Sequence, residues 1–194
     1  MDEAGRRAAL SRLERGCTTA EGLKFYDSLP TTDLEQLLGT WCGTSLPTGH
    51  RLAGLMELLG WYGKRFESTE VVHPLVFRGR RWTRLVALDP ARVPVLWVVR
   101  LAPLLTNRVV AGLFGVIRPL LQTRRPAARL RMTQYRGRTT ATMVYDAQPI
   151  NDALRTVDQD TLLGAMDLRG MRKPYLFVLR REQPLQKGNR NANR

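Results

Sequence analysis

The sequence predicts an α+β fold: an antiparallel β-barrel with helices at its N-terminus and a helical segment capping one end. Three observations carry this. Capping-box patterns open apolar runs near the start, at Thr18-Thr-Ala-Glu21 and Thr32-Asp-Leu-Glu35. Beyond Glu70 the pattern turns to short runs rich in Val, Thr, Tyr, Phe and Trp, separated by Gly, Pro or Asp. No strand-helix-strand rhythm follows residue 120, which favours hairpin-linked antiparallel strands over a parallel sheet.

In order, residues 2–15 read as a short helix, and the first capping box starts a second through Leu23, Phe25 and Tyr26. The second box should start a helix that Gly39 stops. Gly39-Thr-Trp-Cys-Gly43 is too glycine-rich for a helix and predicts a strand with Trp41 directed inward. Leu52, Leu55, Met56 and Leu59 fall at helical spacing, so a helix is expected over 51–59, ended by Gly60. Strands are expected over 72–78, 82–88, 130–136, 138–145, 161–168 and 175–181, with Gly137 in a tight hairpin. Between the two strand groups, 107–121 has helical character loosened by Gly112 and Gly115. Residues 1–17 form an extension, 18–78 and 79–182 the two parts of one compact domain, and 183–194 a disordered basic tail.

The chain has 194 residues, enough for one sizeable core. Hydrophobic residues make up 43%, which excludes disorder as the main state. Two cysteines, Cys17 and Cys42, cannot staple a fold of this size and read as free thiols of a reducing compartment. The start, MDEAGRRAAL, lacks the pattern of a secretory signal, so a cytoplasmic location, peripheral to membrane at most, is expected. The apolar stretch 93–121 is interrupted by Arg100, Asn107, Arg108 and Arg118 and does not read as a membrane span. The net charge of +14 is concentrated: residues 78–140 hold 14 bases against 1 acid. Nearly all of it is arginine, whose planar fork favours phosphate over a diffuse counter-charge.

Leu38-Gly-Thr-Trp-Cys-Gly43, Leu46-Pro-Thr-Gly-His50, Leu59-Gly-Trp-Tyr-Gly-Lys-Arg-Phe66 and Val72-His-Pro-Leu75 together resemble the GXWXG domain family. Ala128-Arg-Leu-Arg-Met132, Ala141-Thr-Met-Val-Tyr-Asp146, Pro149-Ile-Asn-Asp152 and Leu163-Gly-Ala-Met-Asp-Leu168 resemble the family catalogued as domain of unknown function 4334. These families imply no established activity. A weaker resemblance is to lipocalin-like (calycin-type) barrels. It implies that Gly39 and Trp41 lie at the closed end, that Arg180 or Arg181 of the last strand covers the indole, and that an apolar ligand fills the interior.

Joined together, these readings predict a small binding protein for a lipid or other apolar ligand with an anionic head. The expected ligand-binding residues are Trp41, Trp61, Tyr62, His73 and Tyr145, with Arg78, Arg80, Arg81, Arg84, Arg129 and Arg131 gathered at the mouth. The stretch 93–121 is then a lid, a shallow membrane foot or part of the core. The acids from Asp146 to Asp160 lack the spacing of a calcium loop and are expected to cap turns and pair with arginines. No metal site, cofactor or catalytic set is expected. The alternatives are a barrel enzyme on an apolar substrate, with His73 or an aspartate such as Asp146 or Asp152 as base, and a basic protein associated with nucleic acid. Phospholipid and an anionic membrane surface are the expected partners, nucleic acid only non-specifically, and a homo-oligomer stays open.

Overall fold

The computed structural model describes residues 1–79, 85–105 and 107–182. The expected mouth residues Arg80, Arg81 and Arg84, the start of the 82–88 strand and the 183–194 tail lie outside them. The described residues form ten strands: β1 Gly39–Ser45, β2 Trp61–Phe66, β3 Val72–Arg78, β4 Leu85–Leu88, β5 Gln122–Thr123, β6 Ala128–Tyr135, β7 Arg138–Tyr145, β8 Ile150–Asp158, β9 Thr161–Leu168 and β10 Tyr175–Arg181. Eight close a ring in the order β2-β1-β10-β9-β8-β7-β6-β3, with β3 pairing back onto β2. Every pairing is antiparallel, so the fold is the predicted lipocalin-like barrel. At β3 the wall forks. Val72 pairs with Ala128 of β6, whereas residues 76–78 pair with β4, which carries β5 outward.

Alternation along each strand sets the two faces. On β6, Leu130 is buried while Arg129 and Arg131 are exposed, the period of two that the sequence carries. The β6–β7 hairpin turns on Arg136 and Gly137, both at positive φ, as a two-residue primed turn requires. Inside the barrel lie Leu130, Met143, Leu154, Leu162, Phe177 and Leu179. The outer face of β8–β10 is also apolar, and two helices cover it: α1 Glu3–Leu13 and α2 Thr19–Ser28 pack Leu10, Phe25, Tyr26 and Leu29 on Val157, Leu163, Leu176 and Val178. The expected capping box closes the N-terminus of α2, with Thr18 Oγ1 accepting from Glu21 N and Glu21 accepting in return from Thr18 N.

Two expected helices are shorter than their patterns. After Thr32 there is only a 3-10 turn, Glu35–Leu37, because the box residue is engaged elsewhere: Thr32 N donates to Thr140 Oγ1 at 3.0 Å and its carbonyl accepts from Ala141 N at 2.8 Å. The 51–59 segment contains one helical turn, α3 Leu55–Leu58, enclosed by Gly54 and Gly60 at positive φ. Conversely, the acidic stretch after Tyr145 contains strand β8.

Over one end of the barrel lies a helical hairpin, α4 Val95–Leu105 and α5 Arg108–Ile117. Asn107 links the two, its Oδ1 capping α5 through Val110 N at 2.9 Å and its Nδ2 donating to Leu104 O at 2.8 Å. Gln148 Nε2 ties the hairpin's entry to the barrel through Pro90 O at 2.9 Å and Val93 O at 3.2 Å. No helix among the described residues is long and apolar enough to cross a membrane.

Candidate functional site: an apolar cavity with a buried ion pair

The two ends of the barrel differ. At the closed end Trp41 is fully buried, and its Nε1 donates to Leu37 O at 2.7 Å. The Arg181 guanidinium lies 4.3 Å from the indole centroid, and its remaining donors reach Gln36 O and Leu38 O, each at 2.7 Å. This is the indole-and-arginine closure that the lipocalin resemblance implied, and Trp41, expected as a ligand-binding residue, packs in this closure and does not line the cavity at the other end. The glycines around it have separate reasons. Gly39 has φ +120, with Arg181 beside it, and a Cβ on Gly43 would overlap the Trp61 indole.

At the other end, beneath α4 and α5, is a cavity of about 340 Å³, within the range of small-molecule sites. Its walls are almost wholly apolar: Leu55, Trp61, Leu75 and Phe77 from the first half of the chain, Ile150, Met166 and Phe177 from the second, and Val98, Val110 and Phe114 from the hairpin. Phe77 and Phe114 rings meet at 5.5 Å across the junction of barrel and lid.

Besides Arg92 at the mouth, two charged side chains line this greasy space, Lys64 and Asp152. Lys64 Nζ donates to Asp152 Oδ2 at 2.8 Å, with the two side chains only 3% and 1% exposed. The ammonium also faces the Phe177, Trp61 and Tyr145 rings at 4.9, 5.7 and 5.8 Å and Pro74 O at 3.4 Å. Asp152 Oδ1 makes no hydrogen bond of ordinary geometry, and the neighbouring Tyr145 hydroxyl acts on the same carboxyl as a donor that favours its charged form. Burial pushes the Asp152 carboxyl above its ordinary range, against the pull of Lys64. Burial and the neighbouring Asp152 also push the Tyr145 phenol well up, so it remains a neutral hydroxyl.

Why a lysine points inward here follows from two irregularities. Strict alternation from Trp61 would send Lys64 to the outside with Tyr62. Between β2 and β3 the register slips after Trp61 and again after Gly63, which puts Lys64 on the inner face in register with Trp41 of β1. Gly63 is obligatory at this slip: any Cβ there would strike the Trp41 carbonyl. The second slip falls at Pro74, a residue with no N–H to lose from the ladder, and it leaves the Pro74 carbonyl within reach of Lys64.

The expected site residues separate into distinct places. Trp61 and Tyr145 line the cavity. Tyr62 faces outward beneath Arg78, whose guanidinium is 5.0 Å from its ring. His73 lies in a separate polar groove at the fork of β3, with Arg65, Glu67 and Arg124; its Nε2 is 3.6 Å from Glu67, and burial lowers its basicity. Arg129 and Arg131 stand on the outer face, paired with Asp146 at 3.0 Å and Glu70 at 2.7 Å. The arginines of the described residues therefore do not converge on the cavity mouth, where only Arg92 contributes to the lining. The expected turn-capping and pairing with arginines holds for Asp146, for Asp160, which bonds Arg181 at 3.0 Å, and for Asp158, which caps its turn through Asp160 N, but not for Asp152, whose partner is Lys64. The alternative His73 base is outside the cavity, whereas the alternative Asp152 base is inside it. Lys64 is the residue that sequence reasoning missed. The one available signal was composition, since the chain has only four lysines among 31 bases and one of them sits between two aromatic-rich turns of a strand.

Comparison with known proteins agrees with this architecture. A crystal structure of a protein from Thermomonospora curvata is 29% identical and superposes with a TM-score of 0.67, covering 91% of this chain and 99% of that chain. No curated protein sequence matches. The GXWXG protein family matches residues 24–81, which hold β1–β3 and Lys64, and a domain of unknown function, DUF4334, matches 126–181, which hold β6–β10 and Asp152. The α4–α5 hairpin lies between the two matches, and the ion pair joins them. The stretch that matches the GXWXG family and the stretch that matches DUF4334 together close one barrel.

Proposed function

We propose that the protein binds a small, mostly apolar ligand whose single polar end meets Lys64 and Asp152. The observation that supports this is the cavity itself, apolar on nearly every wall, with a buried ion pair set inside it and Arg92 at its mouth. Apolar surface removed from water drives entry, at about 0.8 kcal/mol per methylene. The Asp152 carboxyl rewards a hydroxyl or other donor on the ligand, and the Lys64 ammonium rewards an acceptor or anion. A lipid with an acidic head satisfies the same chemistry in one of two orientations, head inward at Lys64 or head outward at Arg92. The arginines of β6 serve neither.

The test is titration with the neutral apolar probe N-phenyl-1-naphthylamine. Saturable binding to the native chain, weakened tenfold or more by Leu75→Trp, which fills the cavity from β3, supports the reading. No saturable binding, or binding indifferent to Leu75→Trp, overturns it.

A second reading has a specific observation behind it. A carboxylate whose proton affinity is raised by burial and which lines an apolar cavity is suited to taking a proton from an apolar substrate. Under that reading Asp152→Asn abolishes turnover while probe binding persists; under simple binding there is no turnover to lose.

A further inference from the structure

The lid that covers the cavity presents a second apolar face, away from the barrel. On α4, Trp97, Leu101 and Leu104 follow one another at helical spacing, and on α5 and the turn after it so do Val109, Val116 and Leu120, with Leu113 between them at the edge of the cavity lining. They are strongly exposed: Leu104 73%, Val109 81%, Val116 75% and Leu120 73%. Scattered exposed leucines need no explanation, but two adjacent helices with apolar stripes on both sides do. Val98, Val110 and Phe114 account for the inner side, because they line the cavity. Among the described residues of the barrel nothing accounts for the outer one.

Charge distinguishes between covers. Residues 90–145 contain no Asp or Glu, and Arg92, Arg100, Arg108 and Arg118 flank the stripes. One acid stands close, Asp89, paired with Arg92 at 3.4 Å. A two-fold dimer through this face would set each arginine against its own equivalents, a repulsion with no compensating acid. A bilayer rich in anionic lipid offers the opposite: hydrocarbon for the stripes and phosphates for the guanidinium groups.

We infer that the outer face of the α4–α5 hairpin is a docking surface for anionic lipid bilayers, lying flat in the headgroup region with the cavity directly behind it. The docking does not depend on what the cavity holds, so the two readings fail separately. The position gives it a consequence: the elements that close the cavity are the ones immersed in lipid, where an apolar ligand can pass without crossing water.

The experiment is cosedimentation of the full chain with vesicles of equal parts phosphatidylglycerol and phosphatidylcholine, against phosphatidylcholine alone, at physiological ionic strength. Tenfold or greater preference for the anionic vesicles is expected. Val109→Asp with Val116→Asp, both outside the cavity lining, should abolish it with thermal unfolding unchanged. Arg100→Gln with Arg108→Gln should weaken it by roughly thirtyfold. The inference is overturned if the native chain ignores the anionic vesicles, if the aspartate variant folds and still binds them, or if light scattering shows a lipid-free dimer that this variant dissolves while vesicle binding is absent.

Discussion

Lys64 and Asp152 are a pair whose value depends on both members. An ion taken out of water is stabilised only by its partner, so removing one partner alone is far more costly than replacing both by apolar groups. Lys64→Met leaves a carboxylate in an apolar barrel and is expected to cost about 3–5 kcal/mol at neutral pH in denaturant unfolding. That cost should shrink in acid, where the orphaned carboxyl takes up a proton. The sign for the native chain follows from the same shift. Asp152 binds its proton more tightly folded than unfolded, so its favourable contribution is complete below the ordinary value of 3.8 and is lost as pH rises through the elevated folded value. Asp152→Asn, which keeps the neutral form at every pH but leaves Lys64 without its counter-charge, should therefore lose less against the native chain as pH rises across that window; the difference in unfolding free energy between the two chains measures it. A widening native advantage with rising pH would contradict the raised carboxyl. At this scale the sequence was partly legible. Trp41 announced itself through its glycines, and Asp152 was among the candidate bases, but Lys64 could not be read, since its direction depends on register slips that no local pattern displays.

Strands β2 and β3 show how an element hides its function. Their irregular pairing at Gly63 and Pro74 breaks the period of two on which strand reading relies, and β2 accordingly escaped detection, as did β8, whose Asn151, Asp152, Arg155 and Asp158 give it the look of a polar loop. In β8 the outer face is covered by α1 and α2, so both faces are buried and alternation disappears. Regular hairpins such as β6–β7 were legible because one face meets solvent. Two element-level predictions follow from the closed end and from the slip. Arg181→Ala removes two hydrogen bonds from a charged group to backbone carbonyls and its stacking on Trp41, and should lower stability by about 2–4 kcal/mol in thermal or denaturant unfolding while leaving probe affinity unchanged. Gly63→Ala should be worse than a surface Gly→Ala change by more than about 2 kcal/mol, because the new methyl meets the β1 backbone, which cannot yield as a side chain can.

As a whole, the molecule is a barrel closed by an indole and an arginine at one end and by two apolar helices at the other, with one buried ion pair, Lys64 and Asp152, in the interior beneath those helices. The class of fold was legible because helices, hairpins and the absence of parallel crossovers all pointed one way. The position of the arginines was not, because composition records how many cations a segment holds and says nothing about which face of a strand each one takes. On the outer wall Arg129 and Arg131 found acids from neighbouring turns; on the lid Arg100, Arg108 and Arg118 form no ion pair among the described residues. What remains central is that the interior receives a hydrocarbon. The most direct measurement is calorimetric titration of the full chain with a homologous series of straight-chain primary alcohols. Each added methylene should tighten binding by roughly fourfold until the cavity is filled, and Leu75→Trp should shift that limit to a shorter chain. Affinity that does not vary with chain length, or a limit that Leu75→Trp leaves in place, would contradict the account.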